Sequence, residues 1–293
     1  MTVVVCLNFG DKAYLVSDSL VTTRSSTGNL TVVGYCLKIY TLKNRNVLFG
    51  FSGSLASARA ALSEIGRFAS SSTLQEDELC DHLPQILEKV QRNWDKDADY
   101  DLEIVYVGIV PGSKAYEREK FPGLGIPPKS VCGVVSARRG SGEVKVTQGK
   151  AIHVPSTVKV ESPDRRIMMD AFVIGSGSQQ IEKPEYFWGM RYQTFEFVSQ
   201  VLPLELQSFF EETPIEESGV GGAYIVGLLS EGGVSFEVND PRDPPHGRIY
   251  QRNGAIFVSD KKTQKSEIIK TLWDQRLPYE IEEEDEETGA LYL

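Results

Sequence analysis

The amino-acid sequence predicts an α+β fold, a four-layer αββα sandwich in which two β-sheets pack face to face between helical layers. Three observations lead to this prediction. Short apolar runs separated by tight turns open the chain, helical periodicity follows them, and the same succession returns in the second half. Elements that each bury one apolar face are stable when they are stacked in such layers.

The elements follow from the apolar pattern in chain order. In the first half, strands are predicted over residues 3–9, 13–17, 32–42 and 46–53. Apolar residues at intervals of three and four then predict helices over residues 55–68 and 74–94, and Pro84 predicts a break or kink in the second. In the second half, strands are predicted over residues 102–110, 130–137, 143–149, 171–178, 221–229, 234–238, 247–251 and 255–259, and a helical region follows residue 194.

The composition excludes several classes of function. The chain has 31 Lys and Arg against 41 Asp and Glu, a formal net charge of -10, which argues against binding to nucleic acid or to an anionic membrane. No run approaches the ~20 apolar residues of a membrane span, and the start lacks a signal peptide, so a cytoplasmic location is expected. The four cysteines lack paired spacing, so no metal and no other cofactor is predicted.

Two regions are predicted along the chain. Residues 1–239 would form the main domain, and residues 240–293 a C-terminal extension with a hairpin, a helix and an acidic tail. The last three residues, 291–293, resemble the ending by which proteasome activators dock. The alternative is a plain solvated tail, since three residues match by chance often.

Four residues form the candidate catalytic set. Thr2 opens the first strand, Asp18 ends the second strand sixteen positions later, and Lys38 lies in the third strand. Gly53 stands in a turn of small residues before the first helix. Each has an ordinary alternative reading, as a strand residue, a turn former, a solvated edge residue and a helix-capping loop respectively.

Taken together, these residues resemble the catalytic β-type subunits of the proteasome and of the related bacterial ATP-dependent peptidase, within the N-terminal-nucleophile hydrolase superfamily. The resemblance depends on the Thr2 to Asp18 spacing in the pattern SDSLVT, on Lys38, and on the turn GFSGS. The strand-ending IGSGS at residues 174–178 also matches. The likeness extends to about residue 229, and the absence of a propeptide before Thr2 favours the bacterial branch.

The chemistry that the resemblance implies centres on Thr2. A threonine hydroxyl is a weak nucleophile that needs an adjacent base, and a free α-amine on the same residue can serve. Removal of Met1 would free that amine, whose reference pKa is about 7.7 to 8.0. Repulsion by the Lys38 ammonium is expected to lower the pKa of the amine, and Asp18 would hold Lys38 by a charge-assisted hydrogen bond.

The resemblance also implies a role for Gly53 and for four further residues. The backbone N–H of Gly53 would donate to the oxyanion, and Ser176 would contact the amino terminus. An extended substrate would pair with the backbone near Thr22. Phe51 and Leu55 would shape the first specificity pocket, where a phenylalanine favours small substrate side chains. The alternative for Phe51 is a core position in a buried strand.

One late segment, EESGVGGAYIV, departs from the family pattern of an Asp before a Ser-Gly-Gly turn. Alignment on the glycine pair at 221–222 puts Glu217 at the acid and Val220 at the serine. Alignment on residues 218–219 puts Ile215 at the acid. Either alignment loses one of the two groups that orient the amino terminus, and we take Glu217 as the candidate acid.

The expected function is that of a threonine-type endopeptidase, or a peptidase subunit of a self-compartmentalising assembly. The resemblance implies a peptide or unfolded-protein substrate, a homo-oligomer in the form of a ring or spiral, and an ATP-dependent unfoldase or activator as partner. Two alternatives stay open. One is a catalytically silent subunit of the same fold, and the other is an amidase that acts on a small molecule.

Overall fold

The structure is a computed structural model. It describes residues 2–24, 29–94, 101–111, 129–139, 144–148, 152–153, 170–181, 195–211, 219–237, 249–252, 255–260, 265–269, 271 and 290–291. Statements about the fold below concern these residues.

Strands dominate the described part of the chain. In chain order they are β1 (Val4–Asn8), β2 (Lys12–Asp18), β3 (Leu20–Arg24), β4 (Leu30–Tyr35), β5 (Ile39–Leu42), β6 (Val47–Gly53), β7 (Asp101–Val110), β8 (Lys129–Arg139), β9 (Val144–Gln148), β10 (Ile152–His153), β11 (Asp170–Ile174), β12 (Tyr224–Ser230), β13 (Gly233–Phe236), β14 (Ile249–Arg252), β15 (Ala255–Asp260), β16 (Lys265–Ile268) and β17 (Ala290–Leu291). The described helices are α1 (Leu55–Ser71), α2 (Glu76–Asp81), α3 (Leu83–Arg92), α4 (Ser178–Ile181) and α5 (Phe195–Glu211).

Two six-stranded sheets form the body of the molecule. The first has the strand order β10-β11-β1-β2-β12-β13 and the second β17-β5-β6-β7-β8-β9, with antiparallel neighbours throughout. A three-stranded sheet, β14-β15-β16, and a two-stranded sheet, β3-β4, accompany them. Antiparallel pairing suits the short connections that join many of these strands.

The core lies where the two large sheets face each other. A Cβ atom added to Gly50 in β6 would lie 2.6 Å from Cγ1 of Val4 in β1 and 3.2 Å from Cγ1 of Val105 in β7. This close approach brings the start of β1 against the middle of the second sheet. The central strand β2 is buried along almost its whole length, so apolar residues occupy both of its faces.

Helices cover the two sheets only in part. The apolar side of α1 (Ala58, Leu62 and Ile65 among others) and buried residues of α2 and α3 belong to the same apolar cluster, and the three helices contact strands of the second sheet. A second apolar cluster lies on the other face of the first sheet, where α5 packs against β2 and β12. The Oγ atom of Ser54 accepts from the backbone N–H of Ser57 and caps the start of α1.

The predicted four-layer αββα sandwich is wrong for the described residues. Strands dominate them, and only three of their helices have ten residues or more, namely α1, α3 and α5. The helix predicted over residues 74–94 is two shorter helices, because Pro84 stands in the first turn of α3 and the chain breaks at His82. The fold is a strand-rich pair of stacked sheets with an incomplete helical cover.

The chain beyond residue 239 adds strands to this body. Ile249, Val258 and Ile269, from β14, β15 and the residue after β16, are buried in the main core. Near the end of the chain, β17 pairs with β5, with Ala290 opposite Leu42. The division at residue 239 stays a prediction. None of the described helices is long and apolar enough to cross a membrane.

Candidate active site

The main chain of Thr2 makes two hydrogen bonds to the segment after β11. Its backbone N donates to Ser176 Oγ over 3.2 Å, and its carbonyl oxygen accepts from the N–H of Gly177 over 3.1 Å. The residue is buried, with 4% of its surface exposed. The segment after β11 therefore wraps the backbone of the predicted nucleophile.

Asp18 binds both Lys38 and the backbone N–H that follows Thr2. Asp18 Oδ1 accepts from Lys38 Nζ over 2.9 Å and from the N–H of Val3, the residue after Thr2, over 3.0 Å. The two side chains are 0% and 2% exposed. Lys38 Nζ also donates to the carbonyl oxygen of Leu20 over 2.8 Å. A buried ion pair is tolerated when further hydrogen bonds satisfy its members, as they do here.

Lys38 reaches this place because the chain leaves one sheet and enters another around it. Residues 32–42 were expected to form one strand, but β4 ends at Tyr35 and pairs with β3, whereas β5 begins at Ile39 in the second large sheet. Lys38 lies in the gap between the two strands. Its carbonyl oxygen accepts from the N–H of Phe51, which ties the gap to β6.

The residues just before β12 bind the second carboxylate oxygen of Asp18. The N–H of Gly221 donates to Asp18 Oδ2 over 3.3 Å, and the N–H of Ala223 donates to Ser19 Oγ over 2.9 Å. A Cβ atom on Gly222, which has φ +81°, would lie 2.5 Å from Ser19 Oγ. Glycine is therefore needed at position 222 for the backbone to approach Ser19.

Gly175 connects the Thr2 site to the second sheet. Its N–H donates to Glu103 Oε2 over 3.0 Å. A Cβ atom on Gly175 would lie 2.1 Å from the carbonyl oxygen of Thr2 and 3.0 Å from Ser52 Oγ. Ser52 and Glu103 are opposite each other in the β6–β7 ladder. One glycine thus separates the nucleophile's main chain from two polar side chains of the second sheet.

Gly53 ends β6 directly after Ser52. It has φ +114°, and a Cβ atom there would lie 2.2 Å from the carbonyl oxygen of Asp101. The N–H of Ser54 donates to that same oxygen over 2.9 Å. The sharp turn from β6 into α1 therefore requires glycine, and it leaves Gly53 one residue from the contact between Ser52 and Gly175.

The predicted substrate-binding residues lie in different surroundings. Thr22 is half-buried in β3, beside an irregularity in the register with β4. Phe51 is 1% exposed in the main core and stacks on Tyr40 with 6.2 Å between ring centroids. Leu55 begins α1 and packs at the edge of the core. Their roles toward a substrate stay predictions.

The sequence departs from the family pattern at two positions, Glu217 and Val220. Glu217 lies outside the described residues. Val220 is fully buried, and its Cγ2 would be 3.1 Å from a Cβ atom on Gly177. An apolar side chain therefore packs against the segment that holds Thr2.

Sequence reasoning missed three residues that the structure brings to the site, namely Ser52, Glu103 and Gly175. Gly175 and Ser52 flank the positions that were chosen, in the stretches IGSGS and GFSGS. Glu103 has no local signal, because a charged residue near the start of a strand is common on any sheet. Among the described residues, no group of three His, Cys, Asp or Glu side chains is arranged to hold a metal ion.

No protein-family model matches the sequence, and no curated protein matches it either. Solved structures of Anbu proteins are similar in fold. Anbu (ancestral beta-subunit) from Yersinia bercovieri is 12% identical, with 82% of this chain and 89% of that chain covered and a TM-score of 0.49. An Anbu (Gly-1) mutant from Hyphomicrobium sp. strain MC1 is 11% identical, with 80% and 85% covered and a TM-score of 0.46. The helical assembly of the Anbu complex from Pseudomonas aeruginosa gives 12% identity, 78% and 81% coverage and a TM-score of 0.46.

The fold corrects the identification made from the sequence. The strand-rich fold, with three helices of ten or more residues in its described part, does not fit the αββα sandwich of the N-terminal-nucleophile hydrolases. The assignment of the chain to the proteasome β-type or bacterial proteasome-like threonine peptidases is therefore wrong. What stays is the site itself, in which Ser176 accepts from the Thr2 nitrogen, and Asp18 accepts from Lys38 and from the N–H of Val3, the residue after Thr2.

Proposed function

We propose that this protein is a threonine hydrolase that cleaves amide bonds of peptides through Thr2, once the Met1–Thr2 bond has been cut. One observation carries the proposal. Asp18 Oδ1 accepts hydrogen bonds both from the residue that follows Thr2 and from the buried ammonium of Lys38. A buried cation beside a hydroxyl-bearing residue with a potential free amine is the chemistry that activates a weak nucleophile.

In the proposed first step, the Thr2 hydroxyl attacks the substrate carbonyl carbon and the free α-amine of Thr2 takes the hydroxyl proton. The N–H of Gly53 donates to the oxygen that becomes negative. The tetrahedral intermediate collapses, the C–N bond breaks, and the leaving amine takes the proton from the α-ammonium. Water then attacks the carbonyl carbon of the Thr2 ester while the α-amine takes a proton from it. The ester C–O bond breaks, the Thr2 oxygen takes the proton back from the α-ammonium, and the acid product leaves.

The buried pair has two effects on this step. Lys38 keeps a positive charge near the α-amine, which disfavours a second charge there and keeps more of the amine neutral near pH 7. Asp18 holds both Lys38 and the backbone next to Thr2, so the hydroxyl and the cation keep their relative places. Ser176 Oγ accepts from the nitrogen that would become the base, which favours the same orientation.

The test uses a peptide epoxyketone, which can react with both the hydroxyl and the free amine of one residue and so close a ring. The full chain with Met1 removed is expected to gain the mass of one inhibitor and to hydrolyse fluorogenic peptides. The variant Thr2→Ala and protein that retains Met1 are expected to lose both, with hydrolysis falling at least ~10³-fold.

Two matched variants complete the experiment. Thr2→Ser keeps the hydroxyl and is expected to retain the adduct, whereas Thr23→Ala changes an exposed threonine of β3 and is expected to change nothing. Peptide hydrolysis that survives in both Thr2→Ala and the Met1-retaining protein would overturn the proposal. The ring or spiral homo-oligomer and the unfoldase partner stay predictions from the sequence, and light scattering of the purified chain tests the first.

A further inference from the structure

We propose that Glu103 is a positioning residue for the Thr2 site, acting from the second sheet through the backbone of Gly175. The proposal rests on the proposed function for its catalytic consequence. Its structural half, a hydrogen bond that fixes the segment around Thr2, stands independently of whether the protein cleaves peptides.

Glu103 is the side chain that ties the second sheet to the loop after β11. Its Oε2 accepts from the N–H of Gly175 over 3.0 Å, and its side chain is 21% exposed, so the bond is partly shielded from water. Hydrogen bonds to an ionised carboxylate are about twice as strong as those between neutral groups. The residue is thus suited to hold a backbone amide at one place.

The bound segment is the one that holds Thr2. Gly175 lies against the Thr2 carbonyl oxygen, Ser176 accepts from the Thr2 nitrogen, and Gly177 donates to the Thr2 carbonyl. A displacement of this segment would move the nucleophile with it. A displacement of about 1 Å in an active site can lower the rate about a hundredfold.

Glu103 also fixes the position of Thr2 relative to Gly53, the proposed donor to the oxyanion. It pairs with Ser52 in the β6–β7 ladder, and Gly53 follows Ser52. The hydrogen bond to Gly175 therefore links the strand pair that carries Gly53 to the segment that carries Thr2. These two parts belong to different sheets, and Glu103 makes a hydrogen bond between them.

The other carboxylate oxygen is occupied on the surface. Glu103 Oε1 accepts from Arg138 Nη2 over 3.0 Å, and Arg138 Nε lies 3.2 Å from Asp101 Oδ1. Arg138 and Asp101 are 66% and 61% exposed, so water screens this pair. Arg138 thus contacts only the oxygen that faces the solvent, and the contact that reaches the Thr2 segment is the one to Gly175.

The experiment compares Glu103→Ala with Glu103→Gln in the full chain with Met1 removed. Alanine removes the acceptor for the Gly175 N–H, and glutamine keeps an oxygen in its place. For Glu103→Ala we expect kcat to fall between about tenfold and a hundredfold while KM changes less than about threefold. Glu103→Gln is expected to restore most of kcat. Arg138→Met breaks the surface pair alone and serves as the control.

Hydrogen–deuterium exchange of the Gly175 amide separates the two halves of the proposal. We expect Glu103→Ala to speed this exchange at least tenfold, and Glu103→Gln and Arg138→Met to leave it within about threefold. If Glu103→Ala speeds the exchange but the protein has no peptidase activity, the proposed function is refuted and the hydrogen bond from Gly175 to Glu103 is supported. Unchanged exchange in Glu103→Ala, or an equal loss of kcat in Arg138→Met, would overturn the role of Glu103.

Discussion

At the scale of single residues, Gly175 meets the strictest steric demand in the site. Its φ of +94° is in the region that residues with side chains rarely adopt, and a Cβ atom would lie 2.1 Å from the Thr2 carbonyl oxygen. That oxygen is backbone and already accepts from Gly177, so it cannot move aside cheaply. Any side chain at position 175 must displace the nucleophile.

We predict that Gly175→Ala lowers stability by roughly 2–5 kcal/mol, the sum of about 1–2 for the positive φ and about 1–3 for overpacking, and abolishes peptide hydrolysis. Gly233→Ala is the matched control, because Gly233 also has a positive φ, +117°, but an added Cβ would meet nothing within 4 Å. Chemical denaturation should show a loss of only about 1–2 kcal/mol there. Equal losses in the two variants would show that the contact with Thr2 adds nothing.

The residues of the site were predictable to different degrees. Thr2, Asp18 and Lys38 lie in the first forty positions, where their spacing and chemistry formed a recognisable pattern. Glu103 is bonded to Gly175, 72 positions later, and no periodicity or local motif relates two residues that far apart. Their meeting depends on how two sheets stack, which a single sequence does not reveal.

At the scale of elements, the carbonyl groups at the C-terminal end of α1 are bound by a side chain from another part of the chain. The last turn of α1 has no basic residue to interact with its carbonyl groups. Arg45, in the turn between β5 and β6, fills that place. Its guanidinium donates to the carbonyl oxygens of Ala69 at 3.2 Å and Ser72 at 2.9 Å, and also to that of Leu74. One side chain thus satisfies three backbone acceptors around the end of the helix.

We predict that Arg45→Met lowers the free energy of unfolding by about 1.5–3 kcal/mol, as expected for hydrogen bonds from a charged donor. Arg45→Lys should recover little of this loss, since an ammonium lacks the fork that reaches three carbonyl groups. Lys43→Met changes an exposed cation two residues away and should cost less than about 0.5 kcal/mol. Urea denaturation of the three variants measures these differences, and full recovery in Arg45→Lys would contradict the fork geometry.

Elements were predictable where the apolar pattern was local. The predicted helix over residues 55–68 is confirmed as α1, and the first hairpin as β1 and β2. The prediction of one strand over residues 32–42 was wrong, because the chain changes sheets at residues 36–38. An unbroken run of residues that favour strands gives no sign of such a change. The same change of sheets is what puts Lys38 beside Asp18.

At the scale of the whole molecule, two stacked sheets make an apolar interior that buries Cys6 and Cys80, and the half-buried Cys132 packs against it. Burial is the main cause that raises the pKa of the Cys6 thiol in β1, of Cys80 in α2 and of Cys132 in β8. The Asp170 carboxylate adds to the rise at Cys6 and Cys132, and Cys132 Sγ lies 3.6 Å from Asp170 Oδ2. The folded protein therefore keeps these thiols protonated.

The sign of the effect on stability follows from proton counts. In the unfolded chain a thiol ionises near pH 8.5, whereas in the folded protein these three stay protonated to higher pH. Above pH 8.5 the unfolded state binds fewer protons than the folded state, so stability falls as the pH rises. Below that pH the contribution of the thiols is constant.

We predict that the free energy of unfolding falls more steeply between pH 8.5 and 9.5 in this protein than in a variant with Cys6, Cys80 and Cys132 changed to alanine. The difference should be about 3 kcal/mol over that interval, about 1 for each thiol that ionises only on unfolding. Urea denaturation of both proteins under reducing conditions, repeated across this pH interval, measures the two slopes. Parallel falls in the two proteins would mean that the stacked sheets do not keep these cysteines from ionising.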